Sequence, residues 1–399
     1  MKVAFLTAGG IAPCLSSSIG YFIKKYNEID PSIELIAYKH GYKGLLKGDS
    51  IIINDVVRKN PDVLYDFGGS PIGNSRVKLS NVNDCLKNGY INHKEVPLEV
   101  ASQQLVKDNV DVLHTIGGDD TNTTAAELVN YLSENSYNLT VVGLPKTIDN
   151  DVYPIKQTLG AYTAAEETAR FFSNIVNENT TSSRQLIIHE VMGRNCGWLT
   201  AYSAFLYRKK MNQLSFLSDL NVSKDRWDIH GIFIPERKID IENEIVRLRK
   251  VMNIHDCVNI FFSEGAALNS IISSLEQNGK DIKRDAFGHV RLDDINPGVW
   301  FADKLAKGIN ADKVLIQKSG YFARSASSNK KDLNLIFDSV DLAIECALNS
   351  KSGVVVIDEK IDQLTCIEFD RIRGGKPFDY CVDWFAKMLK DIKQTKEVS

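Results

Sequence analysis

Several things are scarce or missing in this sequence, and each absence excludes a class of protein. The seven cysteines, at positions 14, 85, 196, 257, 346, 366 and 381, are odd in number, scattered, and never form a C-x-x-C pair. That usage excludes a disulfide framework and a zinc site and points to reduced thiols in a cytoplasmic protein. Proline is scarce, at 10 of 399 residues, and no repeat or low-complexity tract appears, so fibrous and disordered architectures drop out. No run of about 18 apolar residues occurs, and the apolar stretch at the N-terminus is far shorter than a signal-peptide core. The chain is therefore expected to be soluble and not exported. A basic excess is missing too, because 48 Lys and Arg stand against 51 Asp and Glu, a net charge of -3. With no global positive field, nucleic acid and anionic membranes are not expected partners, and any polyanionic ligand must be met by local groups.

What is present is a globular composition, 43% hydrophobic and 25% charged, on a chain long enough for two or three domains. Short Val- and Ile-rich runs alternate with helical patterns. The runs are Val3 to Ala8, Glu34 to Tyr38, Val112 to Gly117, Thr140 to Leu144, Gln185 to Glu190, Gly231 to Ile234, Val258 to Ser263, Val314 to Gln317 and Val354 to Asp358. Their near-continuous hydrophobicity predicts strands covered on both faces. Between them, Ile19, Phe22, Ile23 and Tyr26 mark one face of a helix over Leu15 to Tyr26; Tyr162, Ala169, Phe172 and Val176 do so over Leu159 to Val176. The charged stretch Glu242 to Lys250, with Val246, Leu248 and Val251, reads as an exposed amphipathic helix, and Lys393 to Ser399 as a frayed tail. Strand and helix in alternation predict a parallel-sheet α/β fold.

In such folds ligands bind beyond the carboxyl ends of the strands. Three loops there carry unusual residues. Thr7 to Ser16 holds Gly9 and Gly10 at a strand-to-helix turn, where backbone amides can approach a phosphate. Gly117-Gly118-Asp119-Asp120 places two glycines before two acids, more than a helix cap needs, and adjacent carboxylates can hold Mg²⁺ on phosphate oxygens. Lys146-Thr147-Ile148-Asp149-Asn150-Asp151 packs together a cation for a phosphate, a candidate base for an attacking alcohol, and further acceptors. By contrast, His189-Glu190 lacks the second histidine of a metalloprotease helix, and nothing near Cys196 suggests an activated thiolate.

With Gly68-Gly69-Ser70-Pro71-Ile72-Gly73-Asn74-Ser75-Arg76, Glu190-Val191-Met192-Gly193-Arg194, Ser263-Glu264-Gly265 and Gly320-Tyr321-Phe322-Ala323-Arg324, these motifs resemble the phosphofructokinases, specifically the pyrophosphate-dependent 6-phosphofructokinases. The resemblance implies two doubly wound, mostly parallel-sheet α/β domains of the phosphofructokinase type facing across a cleft. The donor-binding domain would comprise 1-160 with about 323-372, and the sugar-phosphate domain about 161-322 with 373-399. It further implies Asp149 as proton acceptor, Asp119 as the Mg²⁺ ligand, and a donor site of Gly10, Arg76, Gly118 and Lys146, with Asp120 and Lys146 acting in catalysis. The fructose 6-phosphate site would comprise Thr147, Ile148, Asp149, Met192, Gly193, Arg194, Glu264, Tyr321, Phe322, Ala323 and Arg324. A homodimer or homotetramer is the implied assembly. Ile11, Cys14 and Tyr321 depart from common residues of the wider family, and Arg184 stands about one position out of register with an arginine that relatives lend to a neighbouring subunit.

Two positions bear on the donor. ATP-dependent relatives typically read Gly-Gly-Asp-Gly and Pro-Gly-Thr-Ile-Asp, where this chain has Asp120 and Lys146. A carboxylate there opposes a nucleotide's α-phosphate, while a lysine can reach compact pyrophosphate. The expected reaction is reversible transfer from Mg²⁺-pyrophosphate to the 1-hydroxyl of fructose 6-phosphate, a step of glycolysis. The alternatives are an ATP-dependent 6-phosphofructokinase and a non-catalytic regulatory subunit.

Overall fold

The structure is a computed structural model and describes residues 1–277, 279 and 295–394. Its strands are β1 (Lys2–Thr7), β2 (Glu34–Tyr38), β3 (Ser50–Ile52), β4 (Val112–Gly117), β5 (Thr140–Pro145), β6 (Val152–Tyr153), β7 (Gln185–Val191), β8 (Gly231–Phe233), β9 (Cys257–Ser263), β10 (Lys313–Lys318), β11 (Gly353–Asp358), β12 (Gln363–Ile367) and β13 (Arg373–Gly374). Every expected strand forms. β3, β6, β12 and β13 are additional, each too short or too exposed to leave a continuous apolar run.

The chain divides into two compact units, Met1–Ala164 with Arg324–Lys376, and Ala165–Ala323 with Pro377–Ser399. The last boundary falls after Lys376 because β13 pairs with β6 and so belongs to the first unit. In that unit the order is β12-β11-β5-β4-β1-β2-β3, parallel from β11 to β2 with an antiparallel strand added at each edge. Helix Leu15–Ile29 buries Ile19, Phe22, Ile23 and Tyr26, the face that the sequence marks. The second unit carries a four-stranded parallel sheet, β10-β7-β9-β8.

Two readings of helix and tail need correction. Helix Ile241–His255 buries Ile245, Leu248 and Met252, whereas Val246 is 53% exposed, so its apolar face is turned from the expected one. Spacing of three and four residues selects 245, 248 and 252 once Ile245 is counted. Gln394 is buried, its carboxamide exchanging hydrogen bonds of 2.8 and 3.0 Å with the backbone of Ile232 at the sheet edge; 395–399 lie outside the described residues.

Three buried histidines make the fold acid-sensitive. Tyr26 Oη and His114 Nε2 lie 2.7 Å apart, His189 stacks on Phe172 at 5.5 Å, and His230 accepts from the Asn259 amide at 2.9 Å. Burial pushes the first two down to about 3 and the third to about 4. The unfolded chain, with histidine near 6.5, binds more protons across the window from those values up to 6.5, so stability rises with pH there. Asp332, raised by burial to about 6, opposes this below pH 6, since its protonated form is favoured by folding. Going from pH 7 to pH 5 should cost roughly 2 kcal/mol per histidine, offset by about 1 kcal/mol from Asp332. Denaturant titration at the two pH values measures it; equal or greater stability at pH 5 contradicts neutral burial.

Candidate active site

Strand order reverses between β1 and β4, since the chain leaves β1 for β2 on one side and returns to β4 on the other. That switch point is where an open α/β sheet leaves a crevice for ligand. The Gly9-Gly10 turn follows β1, Gly118-Asp119-Asp120 follows β4, and Lys146 to Asp151 follows β5. Three candidate loops are thereby neighbours.

Close backbone approach holds them together. Gly9 takes φ +86°, its amide donates to Ser75 O at 2.9 Å, and Asn74 Nδ2 donates to Gly9 O at 2.5 Å. A Cβ on Gly9 would stand 3.2 Å from Lys146 Nζ, and one on Gly10 3.5 Å from Arg76 Nη2. Lys146 is 3% exposed, and its ammonium donates to Gly10 O. Burial pushes it down to about 8, with Arg76 acting in the same direction and Cys14, Asp149 and Asp151 opposing. Gly118 opens helix Asp119–Glu134, and a Cβ there would meet nothing nearer than Lys146 O at 3.9 Å, so its main chain stays approachable.

The acids are arranged with equal economy. Thr147 Oγ1 donates to Asp151 Oδ1 and accepts from the Asp149 amide, both at 3.2 Å, and so ties the loop to itself. Asp149 is thereby carried on a braced turn, with Ile148 buried beside it. Asp119 lies against β13, where a Cβ on Gly374 would come within 2.0 Å of its Oδ2. Burial raises the pKa of Asp151, helped by the charge of Asp119 and opposed by Lys376. Gly374 leaves room for the Asp119 carboxylate, and Asp119 and Asp151 together offer the oxygen donors that a divalent cation such as Mg²⁺ takes. Among the described residues no cluster of three or more His, Cys, Asp or Glu could by itself hold a metal ion. Asp120 is 62% exposed at its side chain and pairs with Lys78 at 2.6 Å.

In the second unit β7 is flanked by β9 and β10, and the remaining motifs follow these three strands. Gly193 takes φ +127°, its amide donates to Glu264 Oε1 at 3.3 Å, and its carbonyl accepts from Ser263 Oγ. A Cβ on Gly265 would strike Arg194 O at 1.7 Å, and one on Gly320 would meet Met192 Cε at 2.6 Å. The three loops thus interlock through glycines, bringing Met192, Gly193, Arg194 and Glu264 together with Gly320, which opens the short helix after β10. Burial raises Glu264, while the Gly193 amide and the Arg194 charge pull it back. Ala323 is buried, while Tyr321 and Phe322 are 74% and 43% exposed. Arg324 ends the short helix Gly320–Arg324 and is the first residue of the return segment of the first unit.

Residues outside the expected set join these loops. Lys78 pairs with Asp120, Lys376 bonds the Asp151 carbonyl through its amide at 2.8 Å, and Lys318 pairs with buried Glu190 at 2.9 Å. Lys78 and Lys318 each stand two residues from an expected site residue or motif, which is the signal that could have found them; Lys376 leaves none. Arg184 is spent within its own chain, donating to Asn310 O at 2.5 Å, Asn253 Oδ1 at 3.1 Å and Ile309 O at 2.7 Å. That locks two helix ends together. His189 is fully buried, with Nε2 at 2.8 Å from Ser319 Oγ, as a packed histidine rather than a metal ligand.

A family profile described as phosphofructokinase matches residues 2–293. A pyrophosphate–fructose 6-phosphate 1-phosphotransferase of Methylotuvimicrobium alcaliphilum is 56% identical over 396 residues, covering 99% of this chain and 97% of that one. The protein of the same name from Propionibacterium freudenreichii is 52% identical over 399 residues, covering 100% and 99%. Among solved structures, a pyrophosphate-dependent phosphofructokinase from Marinobacter aquaeolei superposes with a TM-score of 0.70 at 18% identity, over 100% of this chain and 92% of that one, a likeness of fold. With most of its length matched by the family profile and nearly all of it by close relatives, this chain belongs to the phosphofructokinase family.

Proposed function

We propose that the chain transfers a phosphoryl group reversibly from Mg²⁺-pyrophosphate to the 1-hydroxyl of fructose 6-phosphate, giving fructose 1,6-bisphosphate and phosphate. The observation that carries the reading is the convergence of Lys146, Asp119 and Asp149 on loops beside the β1/β4 switch point. Gly10 and Gly118 offer main chain to the donor, and Arg76 and Lys146 meet its charge. Asp119 would hold Mg²⁺, which when bound would supply Lewis-acid neutralisation of the phosphoryl oxygens. Asp149 takes the proton from the attacking hydroxyl, in a turn braced by Thr147. Asp120 and Lys146 favour pyrophosphate over a nucleotide. Met192, Gly193, Glu264, Tyr321, Phe322 and Ala323 shape the sugar site. Arg194 and Arg324 bind the 6-phosphate, the task to which a planar guanidinium fork is suited. The family resemblance supports a homodimer or homotetramer working in the cytoplasm.

The test is the reverse reaction. Fructose 1,6-bisphosphate and inorganic phosphate, with Mg²⁺ and no nucleotide, should yield fructose 6-phosphate and pyrophosphate at a rate comparable to the forward one. A strict need for ADP would assign the chain to the ATP-dependent branch. Arg194→Ala or Arg324→Ala should raise the KM for fructose 6-phosphate at least tenfold, roughly one charge-assisted hydrogen bond, and leave that for pyrophosphate nearly unchanged. Initial-rate kinetics with each substrate varied separates the two; a collapse of pyrophosphate binding with sugar affinity intact would move these arginines to the donor.

A further inference from the structure

Two cysteines outside the site meet in the first unit. Cys346, near the end of helix Lys330–Leu348, and Cys366, in β12, border one cavity, and the Cys346 thiol acts on the titration of Cys366. Both are nearly buried, at 5% and 8% exposure, yet they share a cavity of about 180 Å³ that is half open to solvent and also lined by Glu345, Asn349, Lys351 and Thr365. The Cys366 thiol fits only because residue 353 is glycine: a Cβ there would stand 2.7 Å from its sulfur. Cys381, by contrast, is exposed. Among the described residues the pair does not belong to any cluster of three or more metal-ligating side chains.

We propose that Cys346 and Cys366 form a redox site that a low-molecular-weight disulfide oxidises reversibly to an intramolecular disulfide. One thiolate attacks the small disulfide, breaking its S–S bond, forming a mixed disulfide and releasing the first small thiolate. The neighbouring cysteine, deprotonated, then attacks the protein sulfur of that adduct and expels the second small thiolate. The protein loses two protons and two electrons, and the small disulfide is reduced to two thiols. The cavity borders both cysteines and opens to solvent, so one half of a small disulfide can reach them from outside, and Lys351 places a cation near Cys366. Burial is the largest influence on Cys366 and pushes it up to about 12, so exchange is slow at neutral pH and quickens as pH rises. The bond would tie the helix to β12, the strand that leads through Phe369–Arg371 into β13 and Gly374.

The experiment treats the full-length native protein with glutathione disulfide, alkylates remaining thiols under denaturing, non-reducing conditions, and maps the digest by mass. The expected result is a peptide cross-linked between Cys346 and Cys366, two hydrogens lighter, with two of the seven thiols lost and both restored by dithiothreitol. Cys346→Ser should abolish the cross-link, and Cys381→Ser should leave it unchanged. Glutathione adducts confined to Cys381 with Cys346 and Cys366 alkylated in full, or cross-links scattered among several cysteine pairs, would overturn the proposal.

Discussion

Asp149→Ser lowers kcat by about 10²–10⁴-fold while the KM values for both substrates change little. The size is that of a positioned general base, and the pattern follows because the proton moves only in the transition state. Serine keeps a small polar group on a loop whose shape is set elsewhere, by Thr147 bonding to Asp151 and by Asn150 Oδ1 accepting from the Thr158 amide at 2.9 Å. The fold should therefore survive, and circular dichroism with initial-rate kinetics checks both halves. Turnover near that of the unmodified enzyme anywhere between about pH 6 and 8 would remove Asp149 from the chemistry.

The second large effect is on donor choice. Lys146→Gly removes a buried cation and should reduce kcat/KM for pyrophosphate by 10²-fold or more, the loss of about 3 kcal/mol that one preorganised charge supplies. The ammonium also holds Gly10 O, so the glycine loop loses an anchor as well as a charge. Its pKa of about 8 adds a pH signature. In the free enzyme kcat/KM for pyrophosphate should fall as pH rises through about 8, because the neutral amine cannot pair with the donor, and Lys146→Gly should lack that limb. Asp120→Gly should weaken pyrophosphate use and permit ATP. Its exposed pair with Lys78 contributes little to stability, and a glycine in a helical first turn costs about 1 kcal/mol, so lost folding will not mask the result. The two sites are close enough that their effects should not add. Unchanged donor preference in Asp120→Gly would mean that its carboxylate, drawn to Lys78, does not guard the nucleotide path.

Much of this was legible in the sequence because buried parallel strands announce themselves as continuous apolar runs, and glycine-acid loops at their ends are rare without a ligand to serve. The interior strands and the loops carrying Gly10, Asp119 and Lys146 were therefore visible as local patterns, whereas Arg194 was singled out only through the family resemblance. What was not visible depends on partners distant in the chain. Gly374 against Asp119 needs β13 to pair with β6, two residues on each side, and no periodicity reports so short a ladder. Lys376 on the Asp151 carbonyl follows from the same pairing. The Lys78–Asp120 ion pair is a side-chain choice made after folding, and the sequence shows only two charges in different motifs. Arg184, about one position out of register with an arginine that relatives lend to a neighbouring subunit, donates three hydrogen bonds within its own chain, and these too join segments distant in sequence.

The central claim is that this site uses pyrophosphate, and the most direct measurement is kcat/KM for the purified chain with fructose 6-phosphate, Mg²⁺ and either pyrophosphate or ATP. The account predicts a preference for pyrophosphate of at least 10²-fold, the worth of the Lys146 charge that a nucleotide-binding relative does without. Equal use of the two donors, or a preference for ATP, would contradict it.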